Sequence, residues 1–353
     1  MSEGDSHRAR AMQFTDERIS MPHGAGGQAS RRLGEGLFVP AFANEVLGER
    51  ADAGVLAGML EGGQRLAIST DSFVVRPHRF PGGSIGSLAV HGTVNDLAVS
   101  GARPIALSAG FILESGLDAA TLRDEVAAMA GAAKAIPVPI VTGDTKVVEF
   151  GKADGLYITT TGVGVVDPRA ELGPRRVRPG DRVLLSGPIG DHGITILLAR
   201  GELDIECDIQ SDSRSILPFT TALINALGGD VRWMRDATRG GVATVLNELA
   251  DDAELGVMVD EASVPVRDTV RGACELLGID PLHVANEGQF VAIVAAEAAE
   301  RAVATLRALP GGEGACILGE VQSGPAGAVW GRTPYGGTRM IDMLVGDPLP
   351  RIC

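Results

Sequence analysis

Three aspartates stand where the chain is set to turn: Asp71 in STDSF, Asp96 in TVNDLA and Asp144 in TGDTK, each beside a Ser, Thr, Asn or Gly. Hard divalent cations take oxygen ligands, and Mg2+ in a nucleotide site combines a few carboxylates with phosphate oxygens. Carboxylates far apart in sequence, each at an element end, can meet around such an ion. Singly, each is equally at home as a cap or turn residue. Lys146, just after Asp144, and Glu287 in VANEGQF form a candidate pair for charge stabilisation and proton transfer. The plainer readings are a surface ion pair and a solvated turn. His91 in VHGTVND is a further titratable group, or simply a satisfied helix histidine.

Two glycine-bearing stretches suit phosphate. MPHGAGGQAS carries His23, Gly24, Gly26 and Gly27, where bare backbone N–H groups can approach an anion. No Lys-Ser/Thr follows, so it is no Walker loop, and a flexible entry loop explains it as well. RDATRGGVATVLNEL sets Asp236, Thr238, Gly240 and Gly241 before a run with helical spacing, Val242, Val245, Leu246 and Leu249. Asp and Thr can cap that helix, and the glycines leave room for a ligand at its positive end.

The last residues, PLPRIC, put a thiol at Cys353, tethered from one side and stiffened by Pro348 and Pro350. Such a cysteine is a frayed end or a thiol on a swinging arm. With Gly336, Gly337 and Gly346 as hinges, the stretch from Gly336 to Ile352 reaches up to about 50 Å when extended. Cys207, Cys274, Cys316 and Cys353 contain no CxxC pair and form no disulfide framework. They read as reduced thiols in the cytoplasm. His7, His78, His192 and His283 show no metal-ligand spacing and receive no role.

These residues need elements to position them. The pattern predicts strands at 65–75, 103–114, 139–148 and 156–166, and helices at 86–102 and 118–136, the latter opened by Asp118 as a cap. In the first helix Leu88, Val94 and Leu97 fall on one side. The Pro-, Arg- and Gly-rich stretch DPRAELGPRRVRPGDR breaks the pattern. Strand, glycine turn and helix then recur from Val183, with a further helix at 297–308. Hydrophobic content of 45% provides a sizeable core, and with aromatics at 4% it must be built from Ala, Val, Leu and Ile. The net charge, 31 − 45 = −14, with no basic block, excludes a nucleic-acid footprint. No apolar run is long enough to span a bilayer, and the polar start has no signal-peptide core.

Taken together, HGAGG, TDSF, HGTVNDLAVSGARP, TGDTKVV, RDATRGG, ANEGQ and PRIC closely resemble the HypE family of hydrogenase maturation proteins, the carbamoyl dehydratases. That family lies within the superfamily of aminoimidazole ribonucleotide synthetase, selenophosphate synthetase and thiamine monophosphate kinase. The resemblance implies an α/β (α+β) two-domain fold, with an N-terminal domain that forms a dimeric β-barrel and a C-terminal α/β domain. The expected partition is a disordered extension (1–20), an ATP-binding and dimerisation domain (21–166), a junction (167–182), a C-terminal domain (183–333) and a flexible tail (334–353). The resemblance also implies ATP and Mg2+, with Asp71, Asp96 and Asp144 on the metal. Asn95 and Thr145 join the two glycine stretches in holding the nucleotide. Cys353 is the thiol that a partner carbamoyltransferase loads. Lys146 stabilises charge, while Glu287 or His91 removes the amide protons. The thiocyanate formed on Cys353 passes cyanide to iron on a scaffold complex, for nickel–iron hydrogenase. A homodimer is expected. The alternatives are a superfamily kinase or synthetase acting on a diffusible small molecule, and a non-enzymatic maturation carrier.

Overall fold

The computed structural model describes residues 13–17, 19, 21–24, 27–42, 44–58, 63–201, 208–344, 349 and 351–353. Gly26, Cys207, Gly346, Pro348 and Pro350 therefore lie outside the described residues.

A short helix, α1 (Gly27–Leu33), precedes a five-stranded sheet. Its strands are β1 (Gly54–Leu56), β2 (Arg65–Phe73), β3 (Ala102–Glu114), β4 (Ile140–Val148) and β5 (Leu156–Val166), in the order β1-β2-β5-β3-β4. All pairs are antiparallel except β3 with β4. The β-branched run LYITTTGVGVV suits the central position of β5. Helix α2 (Ile85–Val99) lies on one face of this sheet, and α3 (Ala119–Ala135) packs on α2. Asp118 accepts from the Ala120 N–H, as the sequence predicts for an N-cap.

Seven strands form the second sheet: β6 (Arg182–Leu185), β7 (Val231–Asp236), β8 (Gly256–Asp260), β9 (Phe290–Val294), β10 (Cys316–Gln322), β11 (Val329–Arg332) and β12 (Thr338–Met340). They run in the order β12-β11-β8-β10-β6-β9-β7. Among them are helices α4 (Asp191–Ala199), α5 (Leu217–Leu227), α6 (Gly241–Ala253), α7 (Asp268–Leu277) and α8 (Ala299–Arg307). Alternate residues of β6 and β9 feed two cores. Leu184, Phe290, Ala292 and Val294 join Phe219, Leu223 and Leu306 on one side. Val183, Leu185, Val291 and Ile293 join Val242, Leu246 and Leu249 on the other. This explains why β9 is buried along its whole length.

The structure bears on four expectations. Helix α2 is not one-sided: twelve of its residues are buried, because the two halves of the molecule close on it from both sides. The expected first domain does not hold together from residue 21. Gln28 donates from its backbone to Leu344 O (3.1 Å), while Arg31 pairs with Asp251 and Arg50 with Asp252, so this segment packs on the C-terminal half. The five-stranded sheet is open at β1 and β4, and no closed barrel forms within the described residues of one chain. The described residues from 334 onward pack on the fold and do not form a loose tail. Strand β12 pairs with β11, Ile341 and Met343 are buried, and so are Leu349, Ile352 and Cys353. The apolar residues of this stretch find core to join, which outweighs the freedom lost on ordering. Among the described residues no helix is long and apolar enough to cross a membrane.

Candidate active site

Four acidic side chains converge where β2, α2, β7 and the loop before β9 meet. Asp71 comes from β2, Asp96 from the last turn of α2, Asp236 from the end of β7, and Glu287 from VANEGQF. Ser69 donates its hydroxyl to Asp96. Gly92 allows the helix to approach so closely, since a Cβ there would lie 2.9 Å from the Phe73 ring and 3.5 Å from Asp71 Oδ2.

The electrostatics agree with the geometry. Burial pushes the carboxyl of Asp96 well above its usual range, and the charges of Asp236, Asp71 and Asp52 push it further. Asp236 is raised well above its usual range by burial, with Asp52 adding to it. Glu287 is only 3% exposed and is raised by burial and then by Asp236, Asp71 and Asp212. Asp71 is raised by burial and partly relieved by Arg239, whose guanidinium stands 4.0 Å from it. So much unneutralised negative charge suits a divalent cation. Among the described residues no three carboxylates form a ready-made metal site, so a cation here would share its shell with ligand oxygens.

Glu287 is held by its own backbone. Its N–H donates to Asp212 Oδ1 (3.0 Å), and its carbonyl accepts from Asn95 Nδ2 (3.2 Å). Asn95 also donates to Arg214 O (2.9 Å) and accepts from the Ile216 N–H (2.9 Å). Both amide protons are thereby taken, and Asn95, expected to hold a nucleotide, serves in the structure as a clasp between α2 and the C-terminal half.

The other predicted residues divide. Asp144 and Lys146 do not join the cluster in one chain. Ser72, Thr159, Gly110 and Asp144 form one row across the sheet, and Asp71, Thr160, Ala109 and Gly143 the next. The pleat therefore puts Asp71 and Asp144 on opposite faces. Asp144 and Lys146 pair with each other at 2.6 Å, both side chains 71% exposed, and Thr145 between them is exposed on the same edge strand. His91 bonds Ser213 Oγ (3.1 Å), and burial lowers its pKa to about 4, so it is neutral and a weak base. His23 is buried against Asp16 (2.8 Å) and edge-on to Phe14. Gly24 ends the turn before α1, and Gly27 abuts Leu344 O, where an added Cβ would lie at 2.5 Å. Neither Asp236 nor Thr238 caps α6. Gly240 is the cap residue, with φ +76°. At Gly241 (φ +61°) a Cβ would meet Leu282 O and Val284 O at 2.5 and 2.6 Å, so packing demands the glycine.

Cys353 is brought to this site. It is 8% exposed, one of its main-chain oxygens accepts from the Val74 N–H (3.0 Å), and its negative charge, first among the causes, raises Arg239 above its ordinary value, ahead of Asp71 and Glu287. Arg239 thus links Cys353 to Asp71 and Glu287. Sequence reasoning missed Arg239 although it lies inside RDATRGG. It also missed Asp52 in ADAGV, close to a glycine, and Asp212 in QSDSR, flanked by serines, although both share the signature of an acid near turn residues.

Comparisons with known proteins agree. Residues 50–166 match the family described as AIR synthase related protein, N-terminal domain, and residues 178–332 match AIR synthase related protein, C-terminal domain. The carbamoyl dehydratase HypE of Azotobacter vinelandii is 52% identical over 335 residues, which are 95% of this chain and 97% of that protein. A crystal structure of hydrogenase maturation protein HypE in complex with ATP superposes with a TM-score of 0.79 at 48% identity, covering 94% of this chain and 99% of that one. A HypE–HypF complex superposes with a TM-score of 0.83 at 42% identity, covering 88% and 99%.

Proposed function

The chain belongs to the carbamoyl dehydratase HypE family, and on that premise we infer how its own residues perform the reaction. The protein is an ATP-dependent enzyme that dehydrates a carbamoyl group carried on Cys353 to a thiocyanate, supplying cyanide for the iron of nickel–iron hydrogenase. With ATP, S–C(=O)–NH2 becomes S–C≡N, and the oxygen leaves on phosphate as ADP is released. An amide-like oxygen is a poor leaving group, and its transfer to phosphate is mainly a matter of positioning and charge neutralisation.

The observations that carry the residue assignment are the buried seat of Cys353, held at Val74 just past β2, and Arg239 4.0 Å from Asp71 of that strand. Arg239 offsets negative charge developing beside the sulfur. Glu287, raised by its buried setting, takes the amide protons near neutral pH better than the neutral His91. Asp71, Asp96 and Asp236 would hold Mg2+, which neutralises phosphate charge when bound. The exposed Ile68 and Ile112, on the same face as Asp144, and the bare edge strand β4 suit cover by a second copy of the chain. Asp144 and Lys146 would serve the nucleotide across that pairing. The loading partner is a carbamoyltransferase, an assignment supported by the HypE–HypF complex, and an iron-bearing scaffold receives the cyanide.

Intact-mass measurement tests this reading. After incubation with the carbamoylating partner the chain should gain one carbamoyl group, then lose one water on addition of MgATP, both changes mapping to Cys353. Modification confined to Cys207, Cys274 or Cys316 would overturn it. ATP turnover that survives Cys353→Ser would instead point to a diffusible acceptor.

A further inference from the structure

Residues 351–353 present three successive main-chain oxygens, and each meets a different donor. Arg200 Nη2 donates to Arg351 O at 2.9 Å. His192 bonds Ile352 O at 2.8 Å. The Val74 N–H donates to Cys353 O at 3.0 Å. Because a carbonyl oxygen only accepts, the His192 proton resides on Nε2, and Nδ1 accepts from the Ser211 hydroxyl at 2.8 Å. The Arg351 side chain completes the grip. Its Nε and Nη2 both donate to Val74 O at 3.2 Å, and Nη1 pairs with Asp154 at 2.7 Å.

The donors come from both halves of the molecule: Val74 follows β2, while His192 and Arg200 begin and end α4. Arg200 is itself fixed by Nε donating to Arg76 O (3.1 Å), and His192 is fully buried with its ring edge-on to Phe80. Arg351 has φ +55°, a conformation that costs a non-glycine residue energy and persists only where its surroundings enforce it. The grip provides that enforcement.

We propose that His192, Arg200 and Asp154 are positioning residues that clamp the backbone of residues 351–353 and so hold Cys353 in its buried seat for dehydration. The clamp acts on carbonyls and on Arg351, so it accepts the sulfur as thiol, thiocarbamate or thiocyanate alike. It must open for the thiol to be loaded or emptied by another protein. Weakening it should therefore slow dehydration without slowing loading, a split that a general loss of structure would not produce. The link to dehydration rests on the function proposed above; the clamp itself does not.

The test uses the full chain with Arg200→Ala, Asp154→Asn and both together, whose side chains lie at the surface end of the grip, and Arg200→Lys as the conservative variant. The rate of Cys353 alkylation by iodoacetamide, read by peptide mass, reports the clamp directly. Each single change should raise it by about tenfold, the scale of one charged hydrogen bond, and the double change by more. Arg200→Lys should restore most of the protection. In chains already carbamoylated, loss of water on addition of MgATP should slow by a similar factor, while loading by the carbamoyltransferase should not slow. Unchanged alkylation in the double variant, with its melting temperature unchanged, would overturn the clamp. Equal slowing of loading and dehydration would overturn its positioning role. If the unsubstituted chain itself lost no water, the proposed function would fail, and the alkylation rates would still decide the clamp.

Discussion

On the proposed reading Glu287 is the proton acceptor, at the scale of single residues. Its carboxyl is raised by burial and by neighbouring acids, so at low pH it is protonated and cannot accept an amide proton. The dehydration rate of the loaded chain should therefore climb as pH rises through the raised pKa, measured by single-turnover mass analysis. Glu287→Gln should lower the rate by roughly 10²–10⁴-fold and abolish that slope. His91→Gln should leave the slope in place. Asp71, Asp96, Asp236 and Glu287 were legible from sequence because each acid sits beside turn or capping residues, where an element ends at a cleft. Asp144 has the same signature but faces the other way. Which face of a sheet a strand residue presents depends on pairing register, which one sequence does not state. His192 was invisible as a tail anchor because its partner, Ile352, is 160 residues away and offers only a carbonyl.

At the scale of elements, α2 ties the site to the rest of the fold. Asn95 is its clasp, and Asn95→Ala would strand the buried Ile216 N–H and remove a donor from two carbonyls. We expect a loss of about 2–4 kcal/mol, visible by calorimetry as a melting temperature lower by roughly 5 °C or more. Calorimetry that found no change would reduce Asn95 to an ordinary core residue. The helix itself was easily read, as were β2 to β5, since apolar spacing and turn residues mark them. Its burial on all sides was not, because Ala89, Gly92, Thr93 and Ala98 look like a permissive outer face until a second layer covers them. The expected tail, 334–353, offers no long apolar run to mark it as part of the core. Ile341, Met343, Leu349 and Ile352 bury singly, at spacings no periodic template detects.

Charge and assembly belong to the scale of the whole molecule. The raised carboxyls favour the protonated fold, so the stability they lend is fully present below the ordinary carboxylate range and is lost as pH rises through their raised values. A divalent cation would replace the missing protons. Mg2+ should thus raise the melting temperature more at about pH 8 than at about pH 5.5, and an equal shift at both would argue against these acids as its site. The open sheet gives a second expectation: Ile112→Asp should shift the sedimentation of the protein toward that of a single chain. The seating of residues 351–353 has a kinetic meaning as well. The group to be dehydrated travels on the same polymer as the machinery that acts on it, so no encounter with a separate carbamoyl carrier precedes the event. With MgATP saturating and the copies still paired, diluting the loaded protein should leave its half-time untouched, and each molecule completes one cycle per charge. Throughput in the cell is then governed by how often other proteins refill and drain that single sulfur.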